Sequence, residues 1–536
     1  MISRSVTQNY SSLQLQRMNA PTPLPKVLEN NVHFNTVSVE TKTPPASDEV
    51  LNFFPHIRDS KSIELLPTEE STPTQMKVGL VLSGGQASGG HNVIVGLFDY
   101  LKKLNADNQV FAFLKGPGGL LKQDFMELDA EYVNQFRNSG GFHLACSDRT
   151  KIHSEEQFQA AMDSMKALDL DYLLVIGGDD SNTNACLLAE RFAAENMKTK
   201  VIGAPKTIDG DLRSAEIETS FGFDTACRVY SELIGNIMMD CLSAQKYWHF
   251  IRLMGRSASH IAIECALQTQ PNAVIIGEEV AEKKMTLDQV VNYLADVIIE
   301  RNNTGRSYGV ALIPEGLIEF IPEMGELISE LNDKLAEEDI TDSNVREALS
   351  AKNVALLDSL PATIQNQLLL DRDPHGNVQV SLIETEKLLI NMLIPVLKEK
   401  GMKLKAQTHF FGYEGRCALP TLFDSSYCYA LGQTAGALMA NGCNGYMARV
   451  WNTHLPVADW RIGGLPLAQM MGMERRHGHM VPVITKALVE LDGPVFAKLE
   501  QVRESWIVND MYRSPGPIQF YGDIEPSYNV MLNAEE

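Results

Sequence analysis

Two short stretches concentrate the residue types that could move a charged group. Gly177-Gly178-Asp179-Asp180-Ser181 sets two glycines and two adjacent carboxylates directly behind an apolar run. Pro205-Lys206-Thr207-Ile208-Asp209-Gly210-Asp211 sets a lysine beside two aspartates. A carboxylate so placed can hold a hard divalent cation that bridges phosphate oxygens. One of the first pair could equally cap a helix, since Asp, Ser and Asn are favoured there, but two glycines and two acids exceed what a cap requires. In the second stretch the lysine can steady the oxygens of an anionic group while an aspartate takes the proton of an attacking hydroxyl. A turn would account for Gly210 and Asp211; it does not account for Lys206 and Asp209 in their company.

A third stretch, Ser83-Gly84-Gly85-Gln86-Ala87-Ser88-Gly89-Gly90, lies between an apolar run and a helical pattern. Its unhindered amides and the following helix dipole could hold a phosphate, although such a turn is often only a turn. The chain has no Gly-Lys pair, hence no G-x-x-x-x-G-K loop, and the stretch does not match G-x-G-x-x-G.

Strands and helices must bring these loops together. Short β-like runs recur at 77–82, 109–114, 171–176, 200–204, 272–277 and 308–313, with helix-like segments between most of them. The helix behind Gly177 is expected from about Thr183. Continuous apolar runs alternating with helices imply a parallel sheet covered on both faces, which binds ligands beyond the carboxyl ends of its strands. The expected fold is therefore α/β: two Rossmann-like domains with mainly parallel sheets, an active-site cleft between them, a helical insertion and an N-terminal arm. The expected limits are an arm over 1–75, a first domain over 76–245, a second over 246–316 and 401–475, an insertion over 317–400 that serves as a solvated lid or brace, and a C-terminal segment over 476–536 that returns to the core.

Bulk composition bounds the partners. Against 46 Lys and Arg the 536 residues hold 68 Asp and Glu, and the net charge of −22 opposes any broad surface for nucleic acid or an anionic membrane. An anionic ligand must meet a local cationic pocket. The eight cysteines form no C-x-x-C pair, which reads as reduced thiols in a cytoplasmic protein. The longest apolar stretch, near Leu388 to Leu397, is too short to span a bilayer.

In order along the chain stand LSGGQASGG (82–90), GGDDS (177–181), PKTIDGD (205–211), MGR (254–256), PEG (314–316) and FGYEGR (411–416). This set resembles the strand-end motifs of the phosphofructokinases over roughly residues 76–470. ATP-dependent members of that family usually carry glycine where this chain has Asp180 and Lys206, so the resemblance points to the pyrophosphate-dependent branch and its long form. The physics agrees: Asp180 would set bulk and negative charge where the α-phosphate of ATP should lie, and Lys206 supplies a cation suited to pyrophosphate.

The resemblance implies reversible phosphoryl transfer, dependent on magnesium (Mg2+), from pyrophosphate to the 1-hydroxyl of D-fructose 6-phosphate. The alternatives are an ATP-dependent enzyme and a non-catalytic regulatory subunit. It assigns Asp209 as proton acceptor, with Lys206, Asp180 and Arg256 also catalytic, Asp179 as the metal carboxylate, and Gly85 and Lys206 as pyrophosphate contacts. Thr207, Ile208, Asp209, Met254, Gly255, Arg256, Glu315, Tyr413, Glu414, Gly415 and Arg416 would bind the sugar phosphate. Lys246 and Tyr247 would serve the substrate of an adjacent subunit, which implies a homodimer or larger homo-oligomer with shared sites. His249 and Arg252 read equally well as core or interface residues and stay outside the expected site.

Overall fold

The computed structural model describes residues 10, 12–70, 75–337, 339–371, 378–476, 479–518 and 530–534. Its strands in chain order are β1 (Phe34–Ser38), β2 (Ile63–Pro67), β3 (Lys77–Leu82), β4 (Gln109–Phe113), β5 (Phe125–Glu127), β6 (Tyr172–Gly177), β7 (Lys200–Thr207) and β8 (Phe221–Gly222). There follow β9 (Trp248–Leu253), β10 (Ala273–Val274), β11 (Gly309–Pro314), β12 (Ala406–Phe411), β13 (Tyr446–Trp451), β14 (Arg461–Pro466), β15 (Met471–Arg476) and β16 (His479–Ile484).

The larger sheet runs β1-β2-β14-β13-β7-β6-β3-β4-β5, with β8 attached to β7. Its centre is parallel: β13 with β7, β7 with β6, β6 with β3, and β3 with β4. Antiparallel strands finish both sides, where β1, β2 and β14 close one edge and β5 the other. The smaller sheet, β10-β11-β9-β12, is parallel throughout. This is the α/β architecture with mainly parallel sheets that the run pattern implies. The central strands carry Val, Ile and Leu on both faces because helices cover both; β6 and β11 are buried along their whole length.

Register sets the functional geometry. Leu82 pairs with Ile176 and Gly177 with Pro205, so the loops that leave β3, β6 and β7 emerge side by side. In the smaller sheet Leu253 pairs with both Pro314 and Phe411, and the loops that leave β9, β11 and β12 also emerge together. Two clusters of strand ends are thus brought to one cleft, the topology that concentrates ligand contacts in parallel sheets.

Several expectations need correction. The helix behind Gly177 starts at Asp179, four residues before the expected Thr183, and runs to Ala194. Asp179 and Asp180 therefore occupy its first turn, where the positive end of the helix dipole favours carboxylates. The apolar run at 272–277 yields only the two-residue β10, because a new helix begins at Gly277. Residues 446–466 do not join the second sheet: β13 pairs with β7, and β14 pairs with β13 and β2, in the larger sheet. A strand pattern specifies buried faces but not which sheet supplies the partner.

Part of the N-terminal arm, β1 and β2, is woven into the larger sheet. Residues 1–9, 11 and 71–74 of the arm lie outside the described residues. Within 317–400 the helices Pro322–Leu335, Ala351–Ser359, Ala362–Leu370 and Thr385–Glu399 share one apolar core with β9 and β11. Leu327, Leu331, Ile364, Leu388 and Leu393 are buried there with Trp248 and Phe250, which makes the insertion a brace against the smaller sheet. Among the described residues no helix is long and apolar enough to cross a membrane.

Candidate active site

Lys206, at the end of β7, is 6% exposed. Its Nζ lies 3.0 Å from the point a Cβ on Gly84 would occupy, so the ammonium projects under the first glycine-rich loop. Burial pushes its pKa down to about 8; neighbouring Arg416 and Arg149 act in the same direction, and Asp209 and Asp179 oppose them. One buried cation is thus surrounded by groups from the helix start behind β6, the turn behind β7, the 82–90 loop, the Arg149 loop and the 411–416 turn.

Gly85 completes that cluster. A side chain there would meet Arg416 Nη1 at 2.6 Å and Arg149 Nη2 at 3.4 Å. A larger residue would push both guanidinium groups away from the loop, so glycine keeps them close to its backbone. Arg416 also donates through Nη1 to the Gln86 carbonyl at 3.3 Å, and Ser88 Oγ donates to the Ala418 carbonyl at 2.8 Å. These contacts tie the late turn of the smaller sheet to the first loop of the larger one.

Asp209 is positioned locally. Its N–H donates to Thr207 Oγ1 at 3.0 Å, a tight turn that lifts the carboxylate out of the strand end. Its Oδ1 is buried and accepts no hydrogen bond among the described residues, an unsatisfied acceptor of the kind that marks a site waiting for a proton or cation. Ile208 is buried. Gly210 takes φ +74°, and a Cβ there would press on Phe223 at 2.9 Å and His260 at 3.0 Å, which excludes a bulkier residue. The Asp211 carboxyl is pushed up to about 7, first by burial and then by Asp209 and Asp179, with Lys486 opposing.

Glu315 comes from the other sheet, after β11. It is buried and accepts the Gly255 N–H at 3.0 Å. Burial raises its pKa, the charge of Asp209 adds to the rise, and the Gly255 hydrogen bond opposes it. Asp209 therefore faces carboxylate chemistry from both sheets. Met254 is buried with its N–H on the Phe411 carbonyl at 2.9 Å, while Arg256 is exposed at the rim, close enough to Glu319 to lower the pKa that burial raises.

The 412–416 turn divides its labour. Gly415 packs against the Tyr230 ring, whose hydroxyl donates to the Gly412 carbonyl. Glu414 accepts from the Gly412 N–H at 2.8 Å, so it holds its own turn. Tyr413 is 76% exposed and Arg416 points inward to Gly85. Asp179 and Asp180 sit half-buried on the first helical turn, with Lys486 Nζ 3.6 Å from Asp179 and Lys151 Nζ 3.2 Å from Asp180.

Lys246 and Tyr247 are not brought to this cleft. They lie before β9, whereas Met254, Gly255 and Arg256 follow it; six strand residues separate the ends by about 20 Å.

Sequence reasoning missed three basic residues. Arg149 and Lys151 belong to the loop that crosses beneath Ser83, which forms a bridge with Asp148. Their polar surroundings carry no periodic signal, although two basic residues two positions apart could have drawn notice. Lys486 follows β16 and has no local motif.

The sequence pattern of the phosphofructokinase family matches residues 77–439. A relative from Arabidopsis thaliana named pyrophosphate–fructose 6-phosphate 1-phosphotransferase subunit beta 1 is 52% identical over 98% of this chain and 94% of its own. A relative from Porphyromonas gingivalis named pyrophosphate–fructose 6-phosphate 1-phosphotransferase is 50% identical over 96% of both chains. Among solved structures, the pyrophosphate-dependent phosphofructokinase of Nitrosospira multiformis aligns with a TM-score of 0.56 at 16% identity, covering 85% of this chain and 97% of that one, a likeness of fold alone. With more than half its length matched and two near-full-length relatives at half identity, the chain belongs to the phosphofructokinase family.

Proposed function

We propose that the chain transfers a phosphoryl group reversibly from pyrophosphate to the 1-hydroxyl of D-fructose 6-phosphate, giving fructose 1,6-bisphosphate and phosphate. The observation that carries this reading is the buried Lys206 ammonium beneath the Gly84–Gly85 loop, with Asp179 and Asp209 beside it. The full-length relatives named for this reaction support the choice of donor.

In the proposed reaction Asp209 takes the proton of the 1-hydroxyl as its oxygen attacks the terminal phosphorus. The bond from that phosphorus to the bridging oxygen breaks, and phosphate leaves. Lys206, Arg416 and Arg149 balance the negative charge that spreads over the phosphoryl oxygens. Asp180 faces the position of the next phosphate of a nucleotide and repels it. Thr207 and Ile208 floor the sugar site, Met254, Gly255, Arg256 and Glu315 line its second side, and Tyr413 through Arg416 close over it.

The carboxylates of Asp179 and Asp209, one with an orphaned buried oxygen, suit a hard cation that takes few protein ligands and several phosphate oxygens. Asp179 would hold Mg2+, and the ion when bound neutralises charge on the donor. Lys246 and Tyr247, remote from their own cleft, serve the site of a second copy in a homodimer or larger homo-oligomer. All eight cysteines are free thiols, in keeping with a cytoplasmic setting.

Assay of the purified chain with each donor decides the reading. Turnover with pyrophosphate and none with ATP is expected; robust ATP use without pyrophosphate use overturns it. Asp209→Asn should lower kcat by about 100- to 10,000-fold.

A further inference from the structure

The end of β16 and the segment that follows it cross the cleft and are tied to both of its sides. Toward the larger sheet, the Ile484 N–H donates to Thr183 Oγ1 at 3.0 Å and the Ala487 N–H to the Asp211 carbonyl at 2.8 Å. Toward the smaller sheet, the Ala487 carbonyl accepts from His260 Nε2 at 2.9 Å and the Val489 N–H donates to Glu278 Oε1 at 3.0 Å. Burial pushes the His260 pKa down to about 4, so the ring is neutral and its Nε2 carries the proton. These contacts fix the strap without using the side chain of Lys486.

That side chain reaches into the cleft. Its Nζ donates to Ser257 Oγ at 2.8 Å, one residue past Arg256, and stands 3.6 Å from Asp179 Oδ2. At 3.6 Å the carboxylate contact is an ion pair beyond hydrogen-bond range, so the ammonium keeps donors for another acceptor. It is one-third exposed, which leaves it open to solvent and ligand. Its charge also opposes the raised pKa values of Asp211 and Glu319. A polyanion entering among Asp179, Asp180, Asp209 and Asp211 needs cations on more than one side, and Lys206 serves only the side under the glycine loop.

We propose that Lys486 is a pyrophosphate-binding residue: when the cation-loaded donor claims Asp179, the ammonium turns from that carboxylate to a phosphate oxygen. This rests on the pyrophosphate reading above. The strap thereby couples donor binding to the alignment of the two cleft walls, since the same ammonium is anchored on Ser257 of the sugar side.

The test measures binding to the full chain by calorimetry, with magnesium pyrophosphate alone and with fructose 6-phosphate alone, for the wild type, Lys486→Gln and Lys486→Arg. Loss of a charged hydrogen bond should weaken pyrophosphate binding by about 10- to 100-fold in Lys486→Gln. Fructose 6-phosphate binding and melting temperature should stay unchanged, and Lys486→Arg should keep most of the affinity. Unaltered pyrophosphate binding in Lys486→Gln overturns the proposal. So does a loss shared by Lys486→Arg, or one accompanied by a lower melting temperature and equal loss of the sugar phosphate, which is the signature of a brace. A wild-type chain that binds no pyrophosphate overturns the functional reading itself, whereas wild-type binding matched by Lys486→Gln overturns only the role of Lys486.

Discussion

Lys151 sets its ammonium 3.2 Å from a carboxylate oxygen of Asp180, and both side chains are more than one-third exposed at the cleft. Such an exposed pair adds little to stability. Its consequence is positional: Lys151 holds the Asp180 carboxylate at the cleft, which on the function proposed above is where a nucleotide would continue beyond the transferred group. A carboxylate about 4 Å from a phosphate is opposed by about 4 kcal/mol at intermediate dielectric. Asp180→Gly with Lys206→Gly should therefore raise ATP turnover by about tenfold or more while pyrophosphate turnover collapses. Steady-state kinetics with both donors checks this, and unchanged exclusion of ATP would refute the steric and electrostatic account.

Lys206 predicts a pH dependence with two opposite signs. Its ammonium is charged below about 8 and neutral above it, so pyrophosphate affinity of the free chain should fall as pH rises through about 8. Stability should move the other way. The folded pKa lies below the ordinary 10.5, so between about 8 and 10.5 the unfolded chain binds more protons and stability rises with pH. Lys206→Met should flatten both trends, as read by calorimetric titration and by thermal unfolding across pH 7 to about 10.5.

Arg252 joins β9 to the helical insertion. Its Nε stands 2.8 Å from Glu386 Oε2 as a buried ion pair whose N–H is out of line with the oxygen, and its Nη1 donates to the Ser381 and Ile383 carbonyls at 3.1 and 3.2 Å. The guanidinium also lies 4.0 Å from the Phe410 ring centre. Arg252→Met leaves Glu386 buried without its cation and should cost about 3–5 kcal/mol. The double variant Arg252→Met with Glu386→Gln should recover part of that loss. Denaturant unfolding measures both, and a shift of less than about 1 kcal/mol in the single variant would contradict the pairing.

Lys246 and Tyr247 offer a complementation test. If each cleft borrows Lys246 from a second copy, Asp209→Asn chains and Lys246→Ala chains are each nearly inactive alone. Mixed and reassembled, they should form hybrids with one intact site and recover about one quarter of wild-type activity, since half the dimers are hybrids and each has one of two sites. No recovery on mixing would place Lys246 outside the shared site.

Much of the chemistry was legible locally. Asp179, Lys206 and Asp209 stand at strand ends because a buried β-run followed by glycine and charged residues can only stop at the sheet margin. The local reading failed where helix start and cap compete: Asp179 and Asp180 were expected before the helix, yet they form its first turn, where the dipole accepts carboxylates. It also missed Arg149, Lys151 and Lys486, whose roles depend on which loop crosses which strand end.

By itself the sequence determined the α/β class, the strand-end motifs and the residue types that the chemistry needs, because apolar periodicity and glycine-acid junctions are local properties of the chain. Tertiary structure alone decided that β13 and β14 complete the larger sheet, that Lys246 and Tyr247 lie a strand's length from their own cleft, and that Lys486 crosses from the C-terminal segment to Asp179. Sheet partners and cross-cleft ion pairs form between residues hundreds of positions apart. They are selected by packing and register, to which no local pattern is sensitive.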